Sequence, residues 1–121
     1  MINTIPKIEE NVNVSMASAA AVSSAIDLRH ATLFGLYLPA GFVGTGLTFL
    51  VATSLDGTYR RMKDRATGAA LTAVVASPVA APGDYIPLSP SDFGGVRFVK
   101  IESNQPQASA LQIELATRAA A

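Results

Sequence analysis

Leu47-Thr48-Phe49-Leu50-Val51-Ala52-Thr53, followed by Ser54-Leu55-Asp56-Gly57-Thr58-Tyr59, is the most legible passage of the 121-residue chain. In an extended backbone Leu47, Phe49 and Val51 share one face, and Thr48, Leu50 and Ala52 share the other. β-Branched and aromatic side chains favour that conformation. Asp56-Gly57 then provides residues that accept the positive φ of a hairpin turn. Tyr59–Lys63 is therefore expected to pair back against Leu47–Thr53.

Short segments of the same chemistry lie on both sides. Ala25–Leu28 and Leu33–Leu38 precede it, with Pro39-Ala40-Gly41 as a break. Ala70–Ala76, Tyr85–Leu88, Val96–Glu102 and Leu111–Ala116 follow. Pro87 cannot donate to a ladder, which places Tyr85–Leu88 at an edge or strand end. Leu111, Ile113 and Leu115 alternate with Gln112, Glu114 and Ala116, the pattern of a half-buried strand. Ser89–Phe93 reads as a turn or one helical turn. About eight short strands with no long helix predict an all-β fold, an antiparallel β-sandwich or jelly roll, over residues 25–121. Residues 1–24 contain no aromatic side chain and include the tract MASAAAVSSA. They are expected to form a separate N-terminal arm: poorly ordered, helical over the alanines, or extended on a neighbouring subunit, where Ile5, Ile8, Val12, Val14 and Met16 supply the contacts.

Composition narrows the function. Nine basic and nine acidic residues cancel, which removes the positive excess that nucleic-acid binding normally needs. The chain has no cysteine, hence no disulfide, thiol nucleophile or zinc–thiolate centre. His30 is the only histidine; as a lone general base it would need a nucleophile and an orienting group, and an ordinary strand-end histidine is the simpler reading. No enzyme activity, metal or cofactor is expected. The start, MINTIPKIEEN, lacks the positive leader and apolar stretch of a secretory signal. No apolar run reaches the roughly 20 residues that span a bilayer, so no membrane partner is expected. Only 15% of residues are charged, sparse for a small monomer; part of the surface is expected to be covered by other chains.

Arg60-Arg61-Met62-Lys63-Asp64-Arg65 is the one local charge cluster. As a strand it would bring Arg61, Lys63 and Arg65 to one face, fit to dock an acidic protein surface or phosphate. The competing reading is a solvated edge guarded by charge. Gly41–Leu47 is glycine-rich but lacks the Gly-Lys-Ser/Thr ending of a phosphate loop, and reads as a flexible connection. Tyr37, Phe42, Tyr59, Tyr85 and Phe93 lie near loops, where they would either line a sugar-binding face or act as lids on the core.

The succession Ala25-Ile26-Asp27-Leu28-Arg29, Leu33–Ala40, Leu47-Thr48-Phe49 and Ser54–Tyr59, continued by Tyr85–Phe93 and Val96–Ile101, resembles a family of small tailed-bacteriophage virion proteins. The likeness covers residues 25–116. It implies a jelly-roll-like β-sandwich on the capsid surface, a decoration or cement protein bound to the major capsid protein and to itself, as a homotrimer. The segments LTF…SLDGTY and GGVRFVKIE are also similar to discoidin-like, galactose-binding sandwiches, a likeness of fold that implies sugar or surface binding.

Overall fold

The structure, a computed structural model, describes residues 9–29, 31–77 and 80–119, without the side chains of Glu9, Glu10 and Ala119. Among the described residues nine strands form: β1 (Glu9–Met16), β2 (Ile26–Asp27), β3 (Ala31–Tyr37), β4 (Gly46–Ala52), β5 (Arg60–Arg61), β6 (Thr72–Val74), β7 (Tyr85–Pro87), β8 (Phe98–Ser103) and β9 (Leu111–Ala119). One 3-10 turn, Pro90–Phe93, precedes β8. Every pairing is antiparallel. One sheet has the order β1-β9-β3-β7; the other runs β2-β8-β4-β5, with β6 also on β4.

Successive strands thus alternate between sheets except at β4, β5 and β6, which share one, and the partners nest: β1 with β9, β2 with β8, β3 with β7, β4 with β5 and β6. That is the order of a jelly roll, an all-β sandwich. β5 and β6 are two halves of one edge strand. Leu50 and Val51 pair with Arg61 and Arg60, while Gly46, Leu47 and Thr48 pair with Val74, Ala73 and Thr72. Between them residues 63–70 leave the sheet as a small hairpin. Its base is closed by the Leu71 N–H on the Met62 carbonyl at 2.9 Å and by the Lys63–Ala70 bridge.

Inward positions follow the two-residue period. Leu33, Leu36, Leu47, Phe49, Val99, Ile101, Ile113 and Leu115 are fully buried between the sheets. The Phe49 and Phe93 rings meet edge-to-face with centroids 5.2 Å apart, an arrangement their quadrupoles favour. Phe93 reaches this position because the 3-10 turn caps the sandwich. A register shift between Leu33 and Gly35 bulges β3 at Phe34, which leaves that ring exposed.

The expected boundary at residue 24 does not coincide with any break in the fold. Residues 9–16 pair with 111–118 along their whole length as the edge strand of the first sheet. Val14 and Met16 are each 1% exposed, and Val12 packs half-buried against the same core. These three are core residues of the chain's own sandwich and do not face a neighbour. Ile5 and Ile8 lie outside the described residues. The alanine/serine tract is not helical. It turns at Ala17–Ala20, with Ala19 at φ 69, then runs beside β8. There the Ser23 N–H bonds the Ile101 carbonyl at 2.9 Å, and the Ser103 N–H bonds the Ala21 carbonyl at 2.7 Å. Small side chains allow that close approach.

Candidate functional site

The basic cluster does not form one continuous face. Arg61 stays in the sheet, where its guanidinium grips Glu102 with two bonds, Nε to Oε1 at 2.9 Å and Nη2 to Oε2 at 3.1 Å. Its charge is spent within the molecule. The chain then leaves β4, so Lys63 and Arg65 sit exposed on the small hairpin. Gly68, at φ 76, completes the turn. The hydrogen bond from Arg61, aided by the Thr48 hydroxyl at 2.9 Å, holds the Glu102 carboxyl below its ordinary value against partial burial. A matching pair joins Arg97 to Asp27 at 2.9 Å; the Arg97 hydrogen bond lowers the Asp27 pKa, and the Arg29 N–H adds to the effect. Lys100 Nζ lies 4.4 Å from the centre of the Tyr59 ring, whose phenol is pushed up by burial and by the nearby Asp56 charge.

Next to the hairpin the roll is open. β6 and β7 are edges of opposite sheets with no hydrogen bond between them, and a groove of about 440 Å³ runs between. Phe49, Leu71, Ala73, Ile86, Leu88 and Phe93 form its apolar lining, and Ser89 and Asp92 supply polar groups at the rim. Val74, on the lip, is 44% exposed. No sequence motif announces this groove, because its walls come from segments that are apolar for ordinary core reasons. Only the pairing order leaves the two edges unjoined.

The five loop aromatics separate into three kinds. Phe42 and Phe93 are buried lids, whereas Tyr37 and Tyr85 are exposed on the outer face of the first sheet. Tyr59 donates its hydroxyl to the Leu55 carbonyl at 2.9 Å and so ties the β4–β5 turn.

At one end of the roll Gln107, 2% exposed, joins three connections. Its backbone bonds Ala19 and Ala20, at 2.8 and 3.0 Å. Its side chain takes the Val43 N–H at 2.9 Å and donates to the Val43 carbonyl at 2.8 Å. Asn104 holds Thr45 through both backbone and hydroxyl. The glycine-rich segment, expected to be a flexible connection, is therefore pinned in place. Sequence reading passed over Gln107 because a lone glutamine in a polar loop carries no pattern.

His30 lies outside the described residues. Among those described, no group of three or more acidic or histidine side chains is placed to hold a metal ion, and no helix is long and apolar enough to cross a membrane. No family model matches the chain, and searches of curated proteins and of solved structures returned no match.

Proposed function

We propose that this chain is a non-enzymatic structural protein of a tailed-bacteriophage virion, a capsid decoration protein that binds the major capsid protein on the outside of the shell and acts as a homotrimer. The observation that carries this reading is the open side of the roll. An apolar groove with Val74 on its lip lies directly beside a protruding hairpin that offers Lys63 and Arg65. An apolar slot is suited to take a partner's anchor side chain, and exposed cations beside it steer an acidic surface into register. Zero net charge and the low charged fraction limit self-repulsion when many copies crowd one lattice. Each contact can be weak, because linked copies on a repeating shell gain by avidity.

The reading is tested by co-sedimentation with capsid shells of the phage that encodes the protein, and by its copy number in purified particles. Wild-type protein should sediment with shells at a copy number that scales with the capsid subunits. Val74→Asp and Lys63→Glu should keep the fold and lose shell occupancy by about tenfold. A copy number independent of shell size would assign the chain to the neck, tail or a fibre instead.

A further inference from the structure

The outer face of the β1-β9-β3-β7 sheet, which meets the groove at Tyr85, has an organisation of its own. Asn13, Glu114, Tyr37 and Tyr85 stand opposite one another across all four strands. With strands ~4.8 Å apart, this row spans roughly 14 Å. Tyr37 and Tyr85 are 46% and 42% exposed, with ring centroids 4.6 Å apart and planes inclined by 52°. Tyr85 lies across Gly35. A Cβ at that position would run into the tyrosine ring and hydroxyl and come within 2.9 Å of the Ile86 carbonyl. The absent side chain lets the ring lie down on the backbone and turn its other face outward.

The other end of the row is polar. Asn11 Nδ2 donates to Glu114 Oε2 at 2.8 Å and so fixes the carboxylate beside Tyr37. The side chains of Asn13 and Gln112 are exposed and make no hydrogen bond among the described residues. The next level down carries Asn11, Ala116, Gly35 and Pro87. Neither level holds a lysine or arginine. On the opposite sheet, by contrast, Arg61 and Arg97 are tied up in ion pairs.

We propose that this face binds a neutral, β-linked pyranose oligosaccharide with equatorial hydroxyls. Such a chain is a flat ribbon with C–H groups on its faces and hydroxyls along its edges. The C–H groups are electropositive and suit the negative faces of the Tyr37 and Tyr85 rings. The hydroxyls match the Glu114 carboxylate as acceptor and the Asn13 and Asn11 amides as donors and acceptors. The row is long enough for about three sugar units at roughly one per strand spacing. A second copy of the chain fits less well, because a twofold contact centred here would bring Glu114 close to its own counterpart.

The test is titration of isotope-labelled protein with cellotetraose and, separately, chitotetraose, followed through backbone amide signals. An open platform of this kind should saturate with a Kd on the order of 1 mM, with shifts confined to Asn13, Tyr37, Tyr85, Glu114 and their neighbours. Tyr37→Ala should weaken binding about tenfold, Tyr37→Phe should retain most of it, and Glu114→Gln should fall between them. Lys63→Glu, outside the groove lining that Tyr85 shares, should bind sugar as wild type does, which separates this site from the proposed shell contact. The proposal is overturned if neither tetrasaccharide moves these signals. It is equally overturned if the signals move on raising protein concentration alone, which would make the face a contact between copies, or if Tyr37→Phe binds no better than Tyr37→Ala.

Discussion

A buried polar side chain is worth most where it satisfies backbone groups that have no alternative partner. Gln107 does so for the Val43 N–H, and it shares the Val43 carbonyl with Ser103 Oγ, which donates to it at 3.0 Å. Gln107→Ala leaves the Val43 N–H without its side-chain acceptor and should cost about 1–3 kcal/mol, read as a lower urea midpoint with an unchanged slope. The surface carboxylates set a pH dependence. Asp27 and Glu102 both titrate below their ordinary values in the folded chain, so the unfolded chain binds protons first as pH falls. Their contribution is complete above the ordinary carboxylate range and is lost as pH drops through the lowered native values. Urea midpoints should therefore decline on acidification below about pH 4.5, and Glu102→Gln should flatten part of that decline. Neither ion pair could be read from the sequence, since each joins residues distant in the chain. What could be read at this scale was residue type: the inward Phe49, Ile113 and Leu115 stand where their alternation put them.

At the scale of elements, β4 and β9 were legible because each alternates cleanly and is bounded by turn residues. β1 carries the same signal, Val12, Val14 and Met16 alternating with Asn11, Asn13 and Ser15. It was obscured by the alanine/serine tract that follows, whose composition suggests a tail. The structure makes that strand integral, so residues 1–24 are not a detachable arm. Removing residues 1–24 strips Val14 and Met16 from the core and uncovers the edge of β9, so the remainder should fail to fold cooperatively, as seen by lost dispersion of amide signals. Met16→Ala alone should cost about 2–5 kcal/mol in urea denaturation, the range for emptying a buried large side chain. The Phe34 bulge and the split of one strand into β5 and β6 left no sequence mark, because each depends on the partner strand's register. Gly35→Ala should displace the Tyr85 ring and cost about 1–3 kcal/mol, with a change in tyrosine fluorescence.

For the whole molecule, alternation and turn spacing were enough to predict two packed antiparallel sheets. The groove and the tyrosine row were not predictable, since both arise from which strands end up side by side. The nested pairing has a consequence for how the chain comes into being. The β4–β5 hairpin, whose turn holds neither Asp56 nor Gly57 at the expected positive φ, is local, and each later pair spans a longer loop, out to Glu9 opposite Arg118. Closing long loops is entropically costly and slow. β9 lies between β1 and β3, so the last of the described strands in chain order is the one that bridges two of the first three. Until it arrives, both neighbours present bare ladders, ready to join another chain. A protein cut short or stalled during synthesis is thus not a weaker version of the finished one but a seed for clumping, and a chaperone that shields those ladders should raise the yield of intact copies.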